Sequence, residues 1–180
     1  MGAAEGGRKP MNTSQPLDFR WISPLGISVV LFLLIGLFHV VIGVLTPFFI
    51  RADRLTTDTD SLLTSTRTDT ALFGASPRDL VARDRPLGVL RLVALNWFAA
   101  YMLGLGILQV ALAWFGLRAG QSWALWSLTL AGLLMVPAIG TSLGPFARAG
   151  VMPGIGEMPP FITALILVPV AAVLGWIGLR

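Results

Sequence analysis

The sequence predicts an all-α fold, an integral membrane bundle of four transmembrane helices with a short amphipathic surface helix in its first loop. Three observations predict it. Apolar side chains make up 55% of the 180 residues and charged ones only 12%, with a mean hydropathy of +0.79, outside the range of soluble domains. The stretches 92–117 and 123–143 carry no charged side chain. At about 1.5 Å of rise per helical residue, each can cross a hydrocarbon core of roughly 30 Å. Between them lies only Arg118-Ala-Gly-Gln-Ser, a break short enough to set the two arms side by side and antiparallel.

Residues 1–24 are expected to form a flexible cytoplasmic tail, rich in Gly, Pro, Ser and Asn and carrying Glu5, Arg8, Lys9, Asp18 and Arg20. A cleaved signal peptide is the competing reading. The apolar run, however, starts late, is long for such a peptide and ends without a small-x-small cleavage site. Met11 serves as well as Met1 as the start. Residues 25–180 then form one domain. Its first span covers 25–47: Trp21 stands where an interfacial anchor belongs, Pro24 suits a first helical turn after Ser23, and Thr46-Pro47 ends the regular part.

The long polar loop, 51–90, has two halves. The first is rich in Thr and Asp, and its apolar residues Leu55, Leu62 and Leu63 follow neither a 3.6- nor a 2-residue period, so an irregular or partly helical excursion is expected. In the second half Ser76-Pro-Arg-Asp79 reads as an N-cap, a proline at the first helical position and an acid at the third, so a short helix starts at Pro77. Leu80 and Val81 give that helix an apolar face, and Asp79 and Arg83 form an i,i+4 acid-to-base pair. Pro86 restarts the helix that becomes the second span, 91–117. The third span is 123–143, with Trp114, Trp123 and Trp126 bracketing the turn between them and Pro137 expected to kink or shorten it. The Gly- and Pro-rich stretch 144–160 is a loop resting at the interface. A fourth span, 161–179, has Pro169 as a kink and Arg180 as its terminal charge.

Four spans put both termini on one side, and the expected location is a bacterial plasma (cell inner) membrane with both termini cytoplasmic. The inside then carries Arg8, Lys9, Arg20, Arg118 and Arg180. The first loop carries more Arg, diluted by Asp, so the positive-inside count leans the other way.

The chemistry legible in the sequence is sparse. Cysteine is absent, which excludes disulfides, thiolate nucleophiles, Cys-type zinc sites and Fe–S clusters. The balance of 13 Lys plus Arg against 9 Asp plus Glu, with Arg and Asp alternating, makes no nucleic-acid footprint. His39 is the only histidine. With no acid in any span to complete a relay or metal site, it reads as an interhelical hydrogen-bonding group, paired through Asn96, Tyr101 or Gln109. Asn96 and Gln109 stand roughly 20 Å apart along one helix and read as separate helix-to-helix contacts. Four small-residue pairs offer smooth strips for close approach: Gly36 and Gly43, Ala100 and Gly104, Ser127 and Ala131, Ala171 and Gly175. Asp58, Asp60 and Asp69 have the outer spacing of a calcium loop, but Leu62 and Leu63 occupy the positions that need an oxygen ligand and a glycine, so they read as solvated surface. Arg78, Asp79, Arg83, Asp84 and Arg85 read as a solvated face, with docking of a partner or lipid headgroups as the functional alternative. No catalytic constellation, cofactor or metal site is expected.

The segment Ala71-Leu-Phe-Gly-Ala-Ser-Pro-Arg-Asp-Leu80, then a long apolar helix, then Arg118-Ala-Gly-Gln-Ser-Trp-Ala-Leu-Trp126, resembles a recurrent pattern in small uncharacterised bacterial four-helix membrane proteins, which implies a fold and no activity. The size also invites comparison with the sterol-isomerase-like membrane fold, whose intrahelical acids have no counterpart here. The expected function is that of a non-catalytic accessory or assembly subunit acting by helix packing and loop contacts. Its expected partners are the lipid bilayer and another membrane protein or a second copy of the chain. The alternative is a binder or carrier of a small lipophilic molecule in a pocket near His39, Asn96 and Tyr101.

Overall fold

Ser23 and Pro24 fix where the first long helix begins. In the computed structural model, which describes residues 19–50, 61–158 and 162–180, the Ser23 hydroxyl accepts the Gly26 N–H at 3.1 Å and Pro24 opens α1, Pro24–Phe49. The helix runs past Pro47 for two more residues. The polar excursion supplies two short helices, α2 (Thr66–Phe73) and α3 (Pro77–Arg83). Next comes α4, Arg85–Ala111, which widens into a π-helical segment, Leu112–Leu117. A tight turn, in which Gly120 takes φ +74°, leads to α5, Ser122–Ser142. The short α6, Gly144–Arg148, follows at once. A single 3-10 turn, Ile155–Glu157, precedes a second π-helical segment, Thr163–Leu167, that runs into α7, Val168–Gly178.

The described residues are all-α, and among them three helical stretches are long and apolar enough to cross a membrane: Pro24–Phe49, Arg85–Leu117 and Ser122–Arg148. The stretch expected to be the fourth span stands apart from these three. Thr163–Gly178 is a shorter apolar helix, about 24 Å long. At 33 residues, the α4 stretch reaches about 50 Å, so its first turns extend past the thickness of a hydrocarbon core. Other expectations shift in detail. Pro137 lies inside α5 without ending it, and the stretch expected as a loop after 143 contains α6 and the 3-10 turn. Pro169 opens α7 directly after the π-helical turns. Its missing N–H cannot bond the Leu165 carbonyl, and the wider i→i+5 winding just before it accommodates that loss.

The hairpin arms do not pack along their whole length. Near the turn they meet closely, and a Cβ placed on Gly116 would stand 2.6 Å from the Ala124 methyl. Farther away α4 packs on α1, and α5 packs on α7, which in turn lies on α1. The neighbours therefore run α4, α1, α7, α5, with the ring closed by the π-helical segment at the turn. The core sits in this closed half: Leu25, Val29, Phe32 and Ile35 of α1 meet Leu117, Leu125, Leu128, Val168 and Ala171. The outward faces are also apolar, with Leu34, Leu37, Val41, Ile107, Leu130 and Val173 all exposed. A soluble protein hides such faces, whereas hydrocarbon tails solvate them.

Small residues set the helix spacing, in a register shifted from the expected one. Gly36 faces Gly106 and Val110, and Gly43 faces Ala99 and Leu103. The close strip of α4 is therefore Ala99 with Gly106, and the expected pair Ala100 and Gly104 is exposed. On α5 the buried strip is Ala124, Leu128 and Gly132, with Ser127 exposed. One residue of slip rotates a helix face by about 100°. Small residues stand at both registers, so spacing alone did not choose between them.

Candidate functional site

Two polar arrangements lie within or beside the apolar helices. The first is buried. Ser28 donates its hydroxyl to the Ala171 carbonyl at 2.7 Å, tying α1 to α7. His39 and Gln109 tie α1 to α4, with Nδ1 at 2.7 Å from Oε1; both side chains are 2% exposed. Because the Gln109 oxygen accepts, Nδ1 carries the proton and Nε2 presents a bare lone pair. That Nε2 is shielded from solvent and has no hydrogen-bond partner. Of the three partners that sequence spacing left open for His39, the structure brings up Gln109. Asn96 is half-buried on α4, and Tyr101 is 72% exposed on its outer face, so neither shares the buried site.

The second arrangement stands at the end of the bundle away from the turn, where the polar excursion packs. Ser65 caps α2 by accepting the Thr68 N–H at 3.2 Å, and Gly74 at φ +71° closes it. The Asp69 carboxylate, fully buried, accepts backbone N–H groups from Leu62, Leu63 and Thr64 at 2.5, 3.0 and 3.2 Å. The Thr64 hydroxyl adds a fourth bond at 3.3 Å. The expectation that Asp69 is solvated surface is thus corrected: it is the internal anchor that shapes the 61–64 turn. Its companions Asp58 and Asp60 lie outside the described residues. Arg91 donates its Nε to the Ser61 carbonyl at 2.6 Å, which fastens the same turn to α4.

Two further contacts escaped sequence reasoning. Thr68, 5% exposed, donates its hydroxyl to Glu157 Oε1 at 3.3 Å and joins α2 to the 3-10 turn. The other oxygen, Glu157 Oε2, is shielded and unpartnered. Beside this pair a cleft of about 390 Å³ opens, lined in part by Arg67, Thr68 and Glu157. At the opposite end, Arg118 in the turn stacks over Trp114 at 4.4 Å and also lies over Phe19 and Trp21, at 5.7 and 5.8 Å. Phe19 and Trp21, expected to belong to a flexible tail, are therefore folded against the turn, and Phe19 packs on the core.

The charged residues proposed for docking are all exposed: Arg78, Asp79, Arg83, Asp84 and Arg85. Ser76 caps α3 as its sequence predicts, accepting the Asp79 N–H at 3.1 Å and donating to Asp79 Oδ2 at 2.7 Å. Asp84 both ends α3 and precedes α4. Among the described residues, no three His, Cys, Asp or Glu side chains gather where they could hold a metal ion. No protein family, curated protein or solved structure matches this chain.

Proposed function

We propose that the protein is a multi-pass subunit of a bacterial inner membrane whose four helices all cross the bilayer and which serves a non-catalytic accessory or assembly role. One observation carries this reading. Buried polar side chains of the long helices join helices, Ser28 to α7 and Gln109 to His39, while a mostly apolar exterior faces outward. Polar groups in a bilayer are costly unless paired, and here the pairing serves architecture. The exposed Arg and Asp side chains of α3 and the start of α4 are then the groups that meet a protein partner, either another membrane protein or a second copy.

The fourth crossing is supported by the levels of the helix ends. A Cβ on Gly178 would stand 2.4 Å from the Leu25 amide nitrogen, so α7 ends level with the start of α1 and with the Arg118 turn. Arg20, Arg118 and Arg180 thereby gather at one end, which this reading places in the cytoplasm with the tail, against a positive-inside count that leans the other way.

The shielded lone pair of His39 Nε2 favours a second reading, a carrier of a small lipophilic molecule that bears a hydrogen-bond donor. Native mass spectrometry of the full chain purified in mild detergent separates the two. A stoichiometric protein partner that is lost when Arg78, Arg83 and Arg85 are all changed to Glu supports the subunit. A co-purifying lipophilic molecule lost in His39→Ala supports the carrier, and a chain that emerges alone overturns both.

A further inference from the structure

We infer that Arg118 is a headgroup site for an anionic phospholipid and takes the lipid's phosphodiester at the turn end of the bundle. Three aromatic rings hold its guanidinium, with Trp114 at 4.4 Å, Phe19 at 5.7 Å and Trp21 at 5.8 Å to the ring centroids. A ring attracts the cation but accepts no strong hydrogen bond, so the guanidinium N–H groups still need acceptors. Among the described residues no hydrogen-bond acceptor or carboxylate engages the Arg118 side chain. Its nitrogens are not sealed in either. Arg118 is half-buried, and the shielded polar side-chain atoms that lack a partner among the described residues are His39 Nε2 and Glu157 Oε2. An acceptor from outside the chain can therefore reach the Arg118 donors.

The surroundings choose the acceptor. Trp21 and Trp114 are exposed, as are their chain neighbours Ile22 and Phe115, a rim of aromatic and apolar groups of the kind that lies at headgroup level. The acids of the described residues, Asp69, Asp79, Asp84 and Glu157, all belong to the polar excursion or to the 3-10 turn bonded to it, at the opposite end. The turn end holds cations instead, Arg118 and also Arg180, whose guanidinium lies 3.5 Å from the Trp176 ring centroid. A zwitterionic headgroup brings an ammonium to this end, where no described carboxylate awaits it. A headgroup of net negative charge has no such mismatch. Its phosphodiester presents two unbridged oxygens to the planar fork of Arg118. The three rings restrict that side chain beforehand, so little freedom remains to be lost on binding. The inference rests on the reading that the long helices cross the bilayer, which labelling of Gln121→Cys tests separately.

The test uses the full chain reconstituted into phosphatidylcholine nanodiscs doped with phosphatidylglycerol or phosphatidylethanolamine. Lipid retained on detergent extraction is read by native mass spectrometry. Phosphatidylglycerol is expected to be retained about tenfold over phosphatidylcholine, and phosphatidylethanolamine no better than phosphatidylcholine. Equal retention of all three overturns the proposal and leaves Arg118 as a clamp on the turn. That comparison needs only the unaltered chain, so a misfolding variant does not spoil it. Arg118→Gln is expected to remove the preference, and Arg118→Lys, which keeps the charge without the fork, to lower it several-fold. A preference that survives Arg118→Gln but falls in Arg180→Gln places the headgroup elsewhere and overturns the assignment. Glycerophosphoglycerol is the soluble arm. If it displaces the lipid at equal concentration, the site takes a free phosphodiester and the lipid assignment falls; if it fails to compete, the lipid assignment stands.

Discussion

Gly104 and Gly106 stand two positions apart on α4 and meet opposite surroundings. A Cβ on Gly106 would lie 2.7 Å from both the Gly36 carbonyl oxygen and the Val40 nitrogen, whereas one on Gly104 meets nothing within 4 Å. Gly106→Ala must push α1 and α4 apart and is expected to cost about 1–3 kcal/mol. Gly104→Ala is expected to be neutral or to gain up to about 1 kcal/mol of helix propensity. Thermal unfolding of both variants in the same detergent checks the contrast. The pair His39 and Gln109 makes a second prediction at this scale. Replacing either one by Leu strands the other and is expected to cost about 1–3 kcal/mol. Replacing both is expected to cost less than the sum, by roughly 0.6–1.7 kcal/mol, and additive losses would show that the bond contributes nothing. The sequence marked His39 as an interhelical group because a polar side chain in an apolar run needs a partner. It left Asn96, Tyr101 and Gln109 open, since a candidate's place along a helix does not say which way that helix faces.

At the scale of elements, caps were readable and tertiary anchors were not. Ser76-Pro77 announces α3 by chemistry contained within four residues, and the helix starts there. α2 carries equally local signals, Ser65 at one end and Gly74 at the other, but Leu62 and Leu63 obey no period and concealed it. What holds α2 in place is Asp69, whose partners are the backbone of the preceding turn. Backbone donors leave no trace in composition, so a residue that serves them looks like any loop aspartate. Asp69→Asn replaces one accepting oxygen with a donor facing N–H groups. Hydrogen exchange across 61–73 is expected to accelerate by one to two orders of magnitude, equivalent to about 1–3 kcal/mol. The long apolar helices should be unaffected. Acceleration throughout the chain would mean that Asp69 supports the whole bundle and not its loop.

For the whole molecule, composition and the length of the uncharged runs made the membrane class and the all-α fold readable, because a bilayer admits few other backbones. Pairing was less readable: the short turn implied arms side by side and antiparallel, and α4 and α5 meet near the turn but then turn to different neighbours. That choice depends on which faces carry the tight strips, a property of side-chain volumes on several helices at once. The chain contains no cysteine, so single replacements report sidedness directly. Gln121→Cys in the turn and Leu63→Cys beside Asp69 are expected to react with a membrane-impermeant maleimide from opposite faces of sealed vesicles. Labelling of both from one face would remove the four-crossing arrangement.

The crowding of aromatic groups around Arg118 has a spectroscopic consequence. Of six tryptophans, Trp114 and Trp21 lie at the turn, Trp123 and Trp126 open α5, and Trp176 lies under Arg180. Trp97 alone belongs to the other half, on the early turns of α4. Five of the six tryptophans therefore stand toward one end of the bundle, and if the helices cross the bilayer, emission without Trp97 is expected to report one leaflet. With Trp97→Phe in place, brominated lipid confined to a single leaflet would darken the protein from one side of the membrane and leave it bright from the other.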